Sequence, residues 1–305
     1  MPLITRTTTV EGDGHVRADV VVRHLSGSSH RRVRGMFDNG CVTINDAPCD
    51  SGATTVKSGD VVVVNYDPEQ KYREKKKRWD DRTFTIAFED DHLIVVDKAA
   101  GTLTVPTERN EPNTLVDRVS ICISHSKREK EAWLVHRLDR DVSGLLVFGK
   151  HKKIADVLID QFKARKPERL YAAIVAGQMT NAEGTFRSHL ATGNNLDRFV
   201  TRESADTELA ITHYKILDRL SDTTLIELKL ETGRRHQIRV HLSHDGFPVL
   251  GDRRYKPKQA AHPRWLRKRI ALHAKTLGFD HPLTGEPLRL ESPLPAAMAK
   301  FLAKN

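Results

Sequence analysis

Five charged or titratable side chains crowd into the segment His136-Arg137-Leu138-Asp139-Arg140-Asp141, which runs through Val142-Ser143-Gly144 into the apolar stretch Leu145–Phe148. So much charge beside a buried segment costs free energy unless the groups pair or act on a ligand. An ionised Asp held among arginines can attack an electrophilic carbon or accept a proton. The same Asp can also do no more than close an ion pair with its neighbours. Asp139 and Asp141 together raise a second chemistry, glycoside hydrolysis by two carboxylates. Two residues apart on a strand, they would face one way with too little between them to flank a sugar.

Two later segments carry groups that suit the first. One is Arg169-Leu170-Tyr171-Ala172-Ala173-Ile174-Val175-Ala176-Gly177. The other is Thr232-Gly233-Arg234-Arg235-His236-Gln237-Ile238-Arg239-Val240-His241-Leu242, followed by Gly246-Phe247-Pro248-Val249-Leu250-Gly251-Asp252. Together the three resemble the RluA/RluD-type pseudouridine synthases. That family reads His-Arg-Leu-Asp, two variable residues, Thr or Ser and Gly-Leu-Leu in the first segment, and basic-x-Tyr-x-Ala in the second. A weaker match, Leu93 to Thr104, is similar to the family's Val-Val-x-Lys-Pro-x-Gly start. The resemblance spans Phe84 to the C-terminus.

The resemblance implies an RNA pseudouridine synthase with Asp139 as the catalytic carboxylate. Such an enzyme breaks the bond between sugar and ring nitrogen, rotates the uracil and rejoins it through carbon 5. An aspartate can serve by attacking the anomeric carbon, by adding to carbon 6 of the ring, or by removing a sugar proton to give a glycal; the sequence leaves all three open. Arg239 matches the arginine that pairs with this carboxylate, stabilising the anion and fixing its orientation. Tyr171 matches the tyrosine lying against the target base, with Ile238 beside it as an apolar wall. Arg137 matches an arginine that helps fill the gap left when the base is flipped out of its stack. His136 and His236 are expected to be structural, bonding the motif loops to the sheet. The chain departs from the pattern at Val142, where Thr is usual, at Ala99, where Pro follows the lysine, and at Arg235, where a small hydroxyl residue is common. These departures touch loop detail and substrate choice, and leave Asp139, Tyr171 and Arg239 in place.

These side chains need a scaffold. Strands are expected at Phe84–Phe88, Leu93–Val96, Leu145–Phe148, Leu170–Val175, Thr212–Leu217, Thr224–Leu230 and Ala271–Leu277, and helices at Thr114–Ser124, Lys152–Lys163 and His236–Ser243. Strands outnumber helices and follow one another by short turns, which predicts an α+β fold with a mixed, largely antiparallel sheet. The chain before it has its own pattern: helices over Arg17–Leu25 and His30–Phe37, the second with a serine N-cap, then strands at Val42–Asn45 and Val61–Val64. Residues 17–65 resemble the small S-four-like RNA-binding domain, which implies RNA contacts from His30, Arg31, Arg32 and Arg34. The expected organisation is a small α/β RNA-binding domain at 1–66, a basic linker at 67–82 containing Lys71, Arg73, Lys75, Lys76, Lys77 and Arg78, and a catalytic domain at 83–305.

The formal net charge of the 305 residues is +10. Residues 1–80 hold 13 Lys/Arg against 11 Asp/Glu, so +8 falls on the remainder. A basic balance favours a polyanionic partner without proving one. Basic runs at Arg253–Lys258 and Arg264–Arg269 interleave with Tyr255 and Trp265, which suits either phosphate contact with base stacking or a solvated helix face. No apolar run is long enough to span a bilayer, and Met1–Val10 lacks the order of a secretory signal, so a cytoplasmic protein is expected. Cys41, Cys49 and Cys122 share no metal-type spacing, and an isomerisation implies no metal, nucleotide or redox cofactor. The expected partner is RNA, large-subunit ribosomal RNA first and transfer RNA as its rival, bound by a monomer. A non-catalytic RNA-binding or ribosome-assembly protein on the same fold is the other class of reading. Retention of the full set Asp139, Tyr171 and Arg239 weighs against it.

Overall fold

The computed structural model describes residues 3–12, 14–72, 81–124, 130–265 and 269–303. The chain forms two compact units, residues 1–78 and 79–305. Most of the expected basic linker, from Arg73 to Asp80, lies outside the described residues, as do Arg267 and Lys268 of the second basic run.

The first unit contains β1 (Ile4–Thr9), β2 (Val16–Arg17), α1 (Ala18–Ser26), α2 (His30–Asp38), β3 (Val42–Ile44), β4 (Ala47–Pro48), β5 (Thr55–Val56) and β6 (Val61–Tyr66). Four strands form an antiparallel sheet in the order β1-β6-β3-β4. The serine N-cap is Ser29, whose side chain accepts from Arg32 N at 3.4 Å. Asn45 and Asp46 both have positive φ, 51° and 66°, the geometry of a tight hairpin turn that Asn and Asp tolerate. Ala18, Val22, Val33, Met36, Val42, Val62 and Val64 are fully buried between helices and sheet. Residues 67–72, expected as the start of the linker, pack with this unit: Tyr72 is in its core and its hydroxyl accepts Asp67 N–H at 2.7 Å.

The second unit contains β7 (Phe84–Glu89), β8 (Leu93–Lys98), α3 (Leu115–Ile123), β9 (Trp133–Leu134), β10 (Ser143–Gly149), α4 (Lys152–Lys163), β11 (Glu168–Ala176), β12 (Glu183–Thr192), β13 (Arg198–Thr201), β14 (Glu208–Arg219), β15 (Thr223–Leu230), α5 (Gln237–His244), α6 (Pro257–Ala260), β16 (Leu272–Asp280), β17 (Pro287–Glu291) and α7 (Ala296–Leu302). Its sheet runs β13-β12-β14-β15-β11-β16-β10-β8-β7, with β17 on β16 and β9 on β10. Only β10 and β16 pair in parallel; the other described pairings of this sheet are antiparallel. The fold is therefore α+β on a mixed, largely antiparallel sheet. Among the described residues no helix is long and apolar enough to cross a membrane.

The strands nearest the charged segment are buried on both faces. Ile94, Val96, Leu146 and Phe148 point into one core with Leu115, Val119 and Ile123 of α3, while Leu93, Val95, Leu145 and Val147 meet Ile154 and Leu158 of α4 on the other. This is why β8 and β10 read as continuous apolar runs. The parallel contact between β10 and β16 is very close: a Cβ on Gly144 would overlap the backbone of Ala274, and Gly144 has φ +119°. Only glycine fits there. That contact places the loop before β10 over the middle of the sheet.

Candidate active site

The loop from Val135 to Val142 joins β9 to β10, and its backbone is anchored on both sides of Asp139. On one side Thr104 Oγ1 donates to Leu138 O at 2.7 Å and accepts Leu138 N–H at 3.3 Å, while the Leu138 side chain is buried in the main core. On the other, Lys98 Nζ donates to Ala99 O, Arg140 O and Val142 O at 2.9, 2.9 and 2.8 Å. Lys98 is fully buried, and burial pushes its pKa down to about 7 against the pull of Asp141 and then Asp139. Three carbonyls converging on one ammonium are what makes such a lysine tolerable. Asp139 and Asp141 thus lie in a turn-bearing loop ahead of β10, and of the two only Asp139 lines the adjoining cavity.

That cavity, about 410 Å³, is lined by Asp139, Arg137, Tyr171, Ile238, Arg239 and His236 among others. Residues from the three matched segments therefore meet in one place. Arg239, in the first turn of α5, donates from one terminal nitrogen to Asp139 Oδ2 at 2.8 Å. Its other two nitrogens grip Asp252 in a two-point contact, Nε to Oδ2 at 2.7 Å and the second terminal nitrogen to Oδ1 at 2.9 Å. Asp252 is in turn fixed by the Arg254 and Tyr255 backbone N–H groups, at 2.9 and 3.1 Å, and the Tyr255 ring lies 5.0 Å under the guanidinium. Burial alone would weaken the charge on Arg239, but Asp252, and then Asp139, more than offset it and hold its pKa above the usual arginine range. Asp252 likewise sits below the usual carboxylate range although burial opposes it, because Arg239 and the two backbone donors hold its charge. The result is a pre-aimed guanidinium: one side is committed to a buried acid, and the other faces the half-open carboxylate of Asp139.

Helix α5 is itself held by Gln237, whose buried amide uses every group. Its nitrogen donates to Ile211 O and Thr212 Oγ1, both at 2.9 Å, and its oxygen accepts from Thr232 Oγ1 and Arg234 N at 2.8 and 2.9 Å. Tyr171 on β11 is only 7% exposed. Burial raises the pKa of its phenol, with Asp139 adding to the rise and Arg169 opposing it. Its hydroxyl makes no hydrogen bond to the described residues, so its proton is available to a ligand. Ile238 is buried in the same core as Tyr171, and Arg137 stands exposed at the rim.

His136 and His236 divide. His136 accepts Val147 N–H at 3.3 Å and stacks on Phe162 with centroids 4.6 Å apart; burial, with a smaller push from Arg169, lowers its pKa to about 3. It is structural. Both rings line the cavity, but His236, expected to be structural too, is the one beside the carboxylate, with Nε2 3.7 Å from Asp139 Oδ2. Tyr255 and Trp265, read as candidate stacking platforms, are buried; Tyr255 bonds His236 and Trp265 donates to Arg269 O at 2.9 Å. Sequence reasoning gave no role to Asp252, Lys98 or Thr104. The first two lie inside or at the end of matched segments, but each has oppositely charged neighbours in the chain, Arg253 and Arg254 after Asp252 and Asp97 before Lys98, so nothing local marked them.

Arg31, Arg32 and Arg34 belong to the first unit, on α2. Arg31 is exposed, whereas Arg32 donates to Asp67 O at 3.0 Å and to Pro68 O, and lies 5.9 Å from the rings of both Tyr66 and Tyr72. Among the described residues, no cluster of His, Cys, Asp and Glu could hold a metal ion.

The chain is similar to known proteins. The protein-family model described as RNA pseudouridylate synthase matches residues 92–244. The chain is 37% identical over 220 residues to the uncharacterized RNA pseudouridine synthase YlyB of Bacillus subtilis, spanning 71% of each chain. It is 34% identical over 298 residues to the ribosomal large subunit pseudouridine synthase D of Pseudomonas aeruginosa, spanning 92% of this chain and 89% of that one. Among solved structures, the human RNA pseudouridylate synthase domain containing 4 matches with a TM-score of 0.60 and 25% identity, over 72% of this chain and 92% of that one.

Proposed function

This chain belongs to the RNA pseudouridylate synthase family, isomerases that turn uridine in RNA into pseudouridine, and we propose that Asp139 is its catalytic carboxylate and that its substrate is large-subunit ribosomal RNA. The observation that carries the assignment is the contact of Arg239 with Asp139 Oδ2 at 2.8 Å, made by a guanidinium already locked on Asp252. A carboxylate held in this way is oriented, and its other oxygen is left to act on the nucleotide. That act can take any of the three routes open to an aspartate here: attack on the anomeric carbon, addition to carbon 6, or removal of a sugar proton.

The remaining roles follow from position. Tyr171 lies against the uracil, its hydroxyl near the proton that leaves carbon 5, and Ile238 backs it with an apolar surface. Arg137, at the exposed rim, fills the gap from which the base has flipped. The first unit acts as an S-four-like RNA-binding module, with Arg31 the most accessible of its three named arginines, and residues 83–305 as the catalytic domain. The ribosomal reading is supported by the Pseudomonas aeruginosa relative, a ribosomal large subunit pseudouridine synthase D, to which the similarity spans nearly the whole chain. The work of the protein then lies with ribosomal RNA in the cytoplasm.

A pseudouridine map of ribosomal and transfer RNA tests this reading, in cells lacking the protein and in cells rescued with wild type or Asp139→Asn. Loss of particular pseudouridines in large-subunit RNA, restored by wild type alone, is the expected result. Loss confined to transfer RNA would replace the substrate. Restoration by Asp139→Asn would remove Asp139 from its role.

A further inference from the structure

The tautomer of His236 is set by a chain of hydrogen bonds that begins outside the cavity. The Arg198 backbone N–H donates to Tyr255 Oη at 3.2 Å. The phenol accepts on that side and, in the arrangement that also uses its own proton, donates to His236 Nδ1, 2.7 Å away. A neutral imidazole nitrogen that accepts leaves the ring proton on the other nitrogen. His236 thus carries its N–H on Nε2, the nitrogen 3.7 Å from Asp139 Oδ2.

That separation is too long for a direct hydrogen bond. Among the described residues the N–H has no partner at hydrogen-bond distance, and it lies beside the carboxylate in the lining of the same cavity. Burial, with Arg239, Arg235 and Arg254 nearby, keeps the ring neutral, its pKa lowered to about 4 although Asp139 pulls the other way. An imidazolium here would compete with Arg239 for Asp139; a neutral donor does not. The backbone also points to a built position, for His236 has φ 57° and ψ 15° at the start of α5, a conformation a non-glycine residue adopts at some cost. The same tyrosine that fixes His236 lies under Arg239, so one side chain aligns both groups that flank Asp139.

We propose that His236 contacts the substrate, donating from Nε2–H to an oxygen beside the glycosidic bond of the target nucleotide, either uracil O2 or the ribose 2′ oxygen. The inference rests on Asp139 being the catalytic carboxylate. Each carbon that Asp139 can act on lies within one bond of the C1′–N1 linkage or at its end, and both candidate oxygens are attached to a neighbouring atom. No proton leaves His236. As C1′–N1 breaks, the electron pair passes to the uracil ring, where O2 carries part of the charge, and a fixed N–H stabilises that charge or holds the sugar in place for it.

The experiment uses the full chain and an RNA carrying one target uridine, with single-turnover rate and RNA affinity measured separately. His236→Ala is expected to slow the rate about 100-fold, the scale of losing one pre-aimed donor, with affinity within about threefold. His236→Gln, which returns a neutral N–H, should recover part of the loss, and Tyr255→Phe should fall between. Repeating the series on 2-thiouridine and 2′-deoxyuridine targets names the oxygen, since the penalty shrinks on the substrate that lacks it. An Ala variant as fast as wild type, or slow only through lost affinity, would overturn the proposal. Nitrogen NMR of histidine-labelled wild type checks the tautomer without any variant: a proton on Nδ1 and none on Nε2 would overturn it as well. Asp139→Asn separates the two levels. An active Asp139→Asn removes the reading beneath, whereas an inactive one beside a fully active His236→Ala removes this inference alone.

Discussion

At the scale of single residues, the site is a rack in which each group is held by the next. Asp139 is aimed by Arg239, Arg239 by Asp252, and Asp252 by two backbone amides at 2.9 and 3.1 Å. The Asp252 side chain is 1% exposed, so its loss would strand a buried guanidinium. Removing one partner of such a pair costs about 3–5 kcal/mol. Asp252→Asn, which keeps the shape but not the charge, should cost about half of that, and should slow single-turnover isomerisation by at least about tenfold because Arg239 would close on Asp139 or drift. Chemical denaturation and rate measurements on the same variant check both parts; a variant that lost stability yet kept its rate would show that Asp252 supports the fold and not the aim of Arg239. That Asp139, Arg239 and Tyr171 would meet in one cavity was legible in the sequence, because each sits at a distinctive place in a dense motif. Asp252 was given no role and His236 was expected to be structural, since their roles depend on which partner folds against them: Arg239 is 13 residues from Asp252 in the chain, and the hydroxyl beside His236 comes from Tyr255, 19 residues on.

Elements succeed or fail by how they hold those residues. The strands β8, β10, β11, β14, β15 and β16 were legible as apolar runs. Strands β12 and β13 were not, because the faces they present to the protein carry Ser188, His189 and Arg198 in place of a run of aliphatics. What replaces apolar contact there is a polar seam. His241 on α5 bonds Thr212 Oγ1 through Nδ1 at 3.0 Å and Ser188 Oγ through Nε2 at 2.9 Å, tying the helix to β14 and β12. The ring is 2% exposed, and burial, with a smaller contribution from His244, lowers its pKa to about 4. The folded form therefore binds a proton less readily than the unfolded chain, whose histidine titrates near 6.5. Stability is unaffected by this group above pH 6.5 and falls as the pH drops from 6.5 toward 4, by on the order of 2 kcal/mol at pH 5. His136 and His236 act in the same direction. Melting temperatures measured from pH 7.5 to 4.5 should decline below pH 6.5, and His241→Gln, whatever its own offset, should decline less steeply. Equal slopes would mean that the ring is not held neutral.

Taken whole, the molecule joins two units with separate cores, and the charge that suits RNA is shared between them unequally. The remainder after residue 80 carries +8 of the net +10, yet residues 71–78 hold six Lys/Arg with one acid among them, and Arg31 is exposed on α2. Each phosphate neutralised by such a cation releases counterions, so the logarithm of affinity falls with the logarithm of salt by about 0.9 per contact on duplex and about 0.7 on single strands. Residues 81–305 contain every side chain of the rack and a core of their own, so that fragment is expected to melt cooperatively and to isomerise its target at a rate near that of the full chain once RNA is saturating. Its affinity should be weaker at low salt and its salt dependence shallower, by about one slope unit for each phosphate the first 80 residues had engaged. Filter binding of both proteins to one RNA across a salt series measures that difference directly. Parallel lines would place all phosphate contacts on the catalytic unit and leave the first unit without an electrostatic part in binding. A shallower line with an unchanged saturating rate would instead divide the labour as the charges suggest, with the basic arm and α2 holding RNA and the rack around Asp139 acting on it.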